Sequence, residues 1–165
     1  MNGQKKVDYK MAENMAHKYI LECGYSTPPV NPTAIAEDLG LKVFSSRFDE
    51  KNKGVSGFYD FHENAIFVNQ DEAMTRQIFT VAHELGHYLM HQEYVKSQDY
   101  KVLFRTPDFY NDPYESEADA FAAHLLVPES MLRKYYDIAT ISELSRLFGV
   151  SELVINKRVK FVYGR

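Results

Sequence analysis

The chain has 165 residues, 25% of them charged, with a net charge of −4 and one cysteine. That size and balance fit one soluble globular domain built on a single core. The mildly acidic charge argues against nucleic acid or an anionic membrane as partner, Cys23 alone excludes an internal disulfide framework, and no apolar run reaches the ~20 residues of a membrane span. The opening Met1-Asn2-Gly3-Gln4-Lys5-Lys6 carries no basic-then-apolar export signal, so a cytoplasmic location is expected.

Asp8 to Cys23 reads as an amphipathic helix. Met11, Met15 and Tyr19 form one i, i+4 row, and Ala12, Ala16 and Ile20 form the row beside it. Gly24 to Val30, with Pro28-Pro29, is a loop. A short helix follows, with Asn31 as N-cap, Pro32 at the first position and Gly40 just past the end, so that residues 8–40 make an N-terminal helical pair. Leu41 to Ser46, Val55 to Phe61 and Ala65 to Val68 are rich in β-branched and aromatic residues and predict three strands. Asn52-Lys53-Gly54 and His62-Glu63-Asn64 are turn sequences between them. Short turns join antiparallel neighbours, so residues 41–68 predict a small antiparallel meander.

Asn69, with Glu72 three residues on, has the pattern of a capping box opening a helix from about Asp71 to Gln92. That helix contains His83-Glu84-Leu85-Gly86-His87, the pattern H-E-x-x-H. Residues four apart lie one above the other on a helix, so His83 and His87 can offer imidazole nitrogens to one metal ion. Glu84, about 100° round the helix, stands beside that ion without being a ligand and can take a proton from water that the metal activates. A glycine in mid-helix costs ~1 kcal/mol relative to alanine, so Gly86 predicts a close approach by another element. His91 continues the i, i+4 row, but a straight helix puts it ~12 Å along the axis from His83, too far to share the ion.

Glu93 to Asp112 reads as a long loop containing Tyr94, Tyr100, Phe104, Arg105, Phe109 and Tyr110, with one strand at residues 101–104 as an option. A catalytic zinc takes three protein ligands and a water, so a third donor is required. The helix opening near Pro113 offers Glu115, Glu117 and Asp119. At ~100° per residue, Glu115, Ala118, Asp119, Ala122, Leu125 and Leu126 share a stripe, while Glu117 lies opposite with Phe121 and His124. The two glutamates therefore cannot face one ion together. Small alanines favour the Glu115 stripe as the one packed against Gly86, and Asp119 is then placed to accept a hydrogen bond from the outer nitrogen of a ligating histidine. Glu117 stays as the alternative third ligand. The metzincin pattern is excluded, because Met90 and Glu93 stand where it needs a glycine and a histidine.

Pro128 starts a further helix, Thr140 with Glu143 caps another that ends at Gly149, and Val150-Ser151 leads into a last helix ending near Val162. This order resembles a helix-turn-helix unit, with Lys157, Arg158 and Lys160 as local positive charge. Residues 128–165 read first as a helical extension that closes the domain, and second as a DNA contact.

Two blocks carry a family resemblance. They are Val81-Ala82-His83-Glu84-Leu85-Gly86-His87-Tyr88-Leu89-Met90-His91 and Glu115-Ser116-Glu117-Ala118-Asp119-Ala120-Phe121-Ala122-Ala123-His124-Leu125-Leu126-Val127-Pro128. Together they resemble the ImmA/IrrE family of bacterial and phage zinc peptidases, and the resemblance extends back to Asn31-Pro32. It implies a compact α+β, gluzincin-like (zincin) domain over residues 1–165, with its catalytic helices and their connecting loop in residues 71–126. It further implies Zn2+ held by His83, His87 and Glu115, with Glu84 as catalytic base. Family members are linked to cleavage of repressor proteins in mobile elements and stress responses, so the implied function is a zinc endopeptidase whose substrate is a protein, a helix-turn-helix repressor. The alternative is a regulator that uses the same scaffold to bind protein or DNA with little turnover, and the intact Glu84 favours the peptidase. Tyr59, His62, Tyr94, Arg105, Tyr114 and His124 are candidate donors to an oxyanion.

Overall fold

A computed structural model of the chain describes residues 4–97 and 112–164. The elements run α1 (Tyr9–Glu22), α2 (Pro32–Asp38), β1 (Lys42–Ser46), β2 (Gly57–Asp60), β3 (Ala65–Asn69), α3 (Met74–Met90), α4 (Gln92–Ser97), α5 (Pro113–Leu126), α6 (Glu129–Tyr135), α7 (Ile141–Phe148) and α8 (Glu152–Tyr163). Side-chain caps fix several of these ends, and of the three below the sequence names only Asn31. Asp8 accepts from the Met11 N–H at the start of α1, Asn31 from the Ala34 N–H at the start of α2, and Asp112 from the Tyr114 N–H at the start of α5. Among the described residues no helix is long and apolar enough to cross a membrane.

The sheet is mixed, not the antiparallel meander the turns predict. Its order is β1-β3-β2, with β1 parallel to β3 and β2 antiparallel to β3. The reason is in the connection between β1 and β2. Asn52-Lys53-Gly54 is one turn of a longer excursion over residues 47–56, pinned by Asp49 accepting from Asn52 and by the Val55 N–H donating to the Asn52 carbonyl. That excursion carries the chain past one strand width, and β3 then enters between its predecessors. The central place suits β3, whose Ala65, Ile66, Val68 and Asn69 are all buried.

Asn69 and Glu72 do not form the expected capping box. Asn69 Nδ2 donates to the carbonyls of Lys53 and Val55, tying the excursion to the end of β3, and Glu72 accepts from the Ser56 hydroxyl. The helix starts later, with Ala73 at the N-cap and no side-chain cap. The stretch read as a loop after it begins as α4. The expected strand at residues 101–104, with Tyr100, Phe104, Arg105, Phe109 and Tyr110, lies outside the described residues.

One face of the sheet packs on α3. Gly57 makes this close: a Cβ there would meet the Phe67 carbonyl oxygen at 2.4 Å and Thr80 Cγ2 of α3 at 2.6 Å. On its other side α3 meets α5, which is held in turn by α1. Gly86 has the close neighbour predicted for it, since a Cβ there would stand 2.9 Å from Phe121 Cδ1 and 3.4 Å from Ala118 Cα. Contacts between α3 and α5 run in opposite order along the two helices, His83 with Asp119 and His91 with Glu117, so the helices are antiparallel. Ala12, Ala16, Leu85, Phe121, Leu125 and Phe148 belong to one continuous hydrophobic cluster.

Candidate metal centre

Around the H-E-x-x-H segment, α3 turns Val81 and Leu85 into the core and the two histidines toward α5. His83 Nε2 and His87 Nε2 lie 3.2 Å apart. Glu115 Oε2 is 3.0 Å from the first nitrogen, and Glu115 Oε1 is 2.9 Å from the second. Among the described residues these three side chains form the one cluster of His, Cys, Asp or Glu whose donor atoms converge closely enough for a metal ion.

The donor set fits zinc. Ligands ~2.0–2.1 Å from a tetrahedral zinc stand about 3.3 Å from one another, close to the separations seen here. Glu115 Oε1 is buried and makes no hydrogen bond of good geometry, although an imidazole nitrogen is beside it. Two Nε2 atoms that face each other at 3.2 Å and an unpaired carboxylate oxygen are jointly satisfied by a cation. Without one, the cluster is a buried ion pair. Burial disfavours charge on His83, but hydrogen bonds to Asp119 and Glu115 outweigh it and push the imidazole up to about 10. Burial likewise opposes ionisation of Glu115, and His83 and His87 reverse it, holding the carboxyl well below the usual carboxylate range.

Each histidine has a partner behind it. His83 Nδ1 is 2.8 Å from Asp119 Oδ1, the contact anticipated from the Glu115 stripe. His87 Nδ1 is 2.9 Å from His91 Nδ1, and His91 Nε2 is 2.8 Å from Glu117 Oε2. Glu117 thus faces His91 and not the three-donor cluster. It is wholly buried and also accepts from the Asp8 N–H and the Lys5 ammonium. Burial, then the nearby His87, pushes His91 down to about 4, so it is neutral at neutral pH. Sequence reasoning dropped His91 as a ligand and missed this placement. The signal for it was the i, i+4 row running on from His87.

Glu84 lies on the side of α3 that meets the sheet. Its Oε2 accepts from the Tyr59 N–H of β2 at 3.0 Å. Tyr94 and Tyr114 stack at 3.9 Å beside His87 and His91, and the Tyr94 hydroxyl donates to Asp112. Of the other candidate oxyanion donors, the Tyr59 ring is edge-on to Tyr88, and His124 packs against Phe161 of α8. The His62 ring is edge-on to Phe61, and Arg105 is outside the described residues.

Comparison with known proteins shows what the chain is similar to. The family model described as the IrrE N-terminal-like domain, a peptidase family, matches residues 36–160. The chain belongs to that family. An uncharacterized immunity region protein of Bacillus phage phi105 is 29% identical, over 74% of this chain and 82% of its own length. Metallopeptidase ImmA of Bacillus subtilis is 25% identical, over 61% of this chain and 59% of its own. Among solved structures, a Mycobacterium tuberculosis transcriptional regulator shares the fold with a TM-score of 0.67 at 17% identity. The match takes in 90% of this chain and spans only 55% of that regulator.

Proposed function

We propose that this IrrE-like domain is a zinc-dependent endopeptidase acting on a protein substrate, a helix-turn-helix repressor of a mobile element or stress regulon. The observation that carries the reading is the convergence of His83 Nε2, His87 Nε2 and Glu115 at zinc-ligand spacing, with Glu84 next to His83 in sequence. The phage immunity region protein and the metallopeptidase among its relatives support the choice of a repressor.

His83, His87 and Glu115 would hold the zinc ion, which would supply Lewis-acid polarisation of a carbonyl and acidify water at the site. The rest is the work of the chain's own groups. Asp119 accepts the His83 Nδ1 proton, which leaves the Nε2 lone pair aimed into the cluster. The Tyr59 N–H holds one oxygen of Glu84, fixing the carboxylate that takes a proton from the attacking water and returns it to the leaving amine. An extended substrate segment pairs with the edge of β2, the strand whose backbone reaches Glu84.

The test is incubation of the zinc-loaded protein with purified helix-turn-helix repressors of mobile elements, alongside Glu84→Gln. Cleavage by the native protein and a loss of roughly 10²–10⁴-fold in the variant, with zinc still bound, are expected. A variant that cleaves as well as the native protein refutes Glu84 as base. Binding of a repressor without turnover by either protein supports the non-catalytic regulator instead.

A further inference from the structure

Lys5, Glu117 and His91 lie outside the three-donor cluster, yet they form one continuous chain of contacts that ends on it. His91 and Glu117 are 3% and 0% exposed. Buried polar groups of this kind persist only when their hydrogen-bonding capacity is met, and here one arrangement of protons meets it throughout. With His87 Nε2 turned to the cluster, its proton sits on Nδ1 and is donated to His91 Nδ1, 2.9 Å away. His91 then carries its own proton on Nε2 and donates it to Glu117 Oε2 at 2.8 Å. Glu117 is the terminal acceptor, and it takes further hydrogen bonds from the Asp8 N–H at 2.8 Å and from the Lys5 ammonium. The ammonium also sits 4.1 Å above the Tyr114 ring, whose edge meets His91.

The two histidines are therefore oriented by unlike means. His83 is held directly by Asp119, whose side chain is 57% exposed, whereas His87 is held by a buried relay that reaches residues just ahead of α1. We propose that Lys5, Glu117 and His91 are positioning residues for His87, which makes the N-terminal segment at Lys5–Asp8 an outer part of the metal centre. The proposal rests on the zinc reading above. It gives Glu117 a role distinct from that of Glu115 two residues earlier: one faces the ion, the other fixes the histidine that faces it. Undocking residues 5–8 would weaken metal binding without touching a ligand.

The experiment measures zinc affinity by chelator competition and the visible spectrum of the cobalt-substituted full-length protein. The variants are Lys5→Met, His91→Phe, their double mutant and Glu115→Gln, each checked for native near-UV dichroism. Loss of an outer-shell partner costs ~10–100-fold in metal affinity, so His91→Phe is expected in that range with a shifted cobalt spectrum. Lys5→Met is expected to weaken binding severalfold, because Glu117 keeps its bonds from Asp8 and His91. In the His91→Phe background the same lysine change is expected to have no further effect, a non-additivity that a general loss of stability does not produce. Native affinity and spectrum in folded Lys5→Met overturn the relay even if His91→Phe fails to fold, and additive losses in the double mutant overturn it as well. Failure of the native protein to bind zinc, or binding that survives Glu115→Gln, refutes the zinc reading itself.

Discussion

At Gly86 two helices come as near as a missing Cβ permits. Replacing it with alanine adds about 1 kcal/mol of helix preference to α3. The added methyl meets the Phe121 ring at 2.9 and 3.3 Å and the Ala118 backbone at 3.4 Å, and Phe121 is wholly buried. Overpacking of that kind costs ~1–3 kcal/mol. Gly86→Ala is thus expected to lose about 1 kcal/mol net, and to weaken zinc binding because the displaced α5 carries Glu115. A melting temperature at or above the native value removes the argument. His124 sets a second expectation, through its protons. Burial, then the positive charge of Arg158, pushes it down from 6.5 to about 4. Because the folded value is the lower one, its stabilising effect is complete above the unfolded pKa. That effect is lost as pH falls from about 6.5 toward 4, and near pH 5 the loss approaches ~2 kcal/mol. Unfolding free energies of native protein and His124→Gln at pH 7 and 5 check this. The variant is expected to show the smaller drop on acidification, and equal drops discount His124.

At the scale of elements, ends were legible where a single side chain decides them and illegible where pairing decides them. Thr140 and Glu143 form a reciprocal capping box on α7, and Gly149 closes it in the left-handed region at φ 71°. Thr140→Ala is expected to cost about 1 kcal/mol, and to leave zinc affinity unchanged because α7 carries no donor. Asn69 and Glu72 have the same spacing, but the backbone of residues 53 and 55 and the Ser56 hydroxyl compete for them and win. Strand order failed for a related reason. The residues of β1 and β2 predict strands correctly, but nothing local in Asn52-Lys53-Gly54 says that β3 will enter between them. On α5, helical periodicity set Glu115 and Glu117 apart, and in the structure Glu115 meets His83 and His87 while Glu117 meets His91. It misjudged the width of the face toward α3, which extends to Phe121 and Glu117 because α5 is buried against both α1 and α3. In the last helix, Arg158 points inward to donate to the Val127 carbonyl, so the positive charge read there for DNA contact is reduced to Lys157 and Lys160.

For the whole molecule, the donor geometry would make metal binding a folding event. His83 and His87 come from α3 and Glu115 from α5, and both helices also contribute to the core: Leu85 packs from one, Phe121 and Leu125 from the other. An ion bridging them exists only when the interface does, so its binding free energy adds to the stability of the fold. A ligand that binds only the native state stabilises it by about 4 kcal/mol at a thousandfold excess over its dissociation constant. For a chain of this size ~2–4 °C accompanies each kcal/mol, so saturating zinc is expected to raise the melting temperature by about 10 °C. Chelation is expected to return it to the metal-free value. Glu84→Gln keeps all three ligands and is expected to show the full rise, whereas Glu115→Gln, which removes the carboxylate charge at the bridge, is expected to lose most of it. Calorimetry of the three proteins with zinc and with chelator separates these outcomes. A rise that persists in Glu115→Gln places the ion elsewhere, and the absence of any rise in the native protein rejects a bridge between α3 and α5.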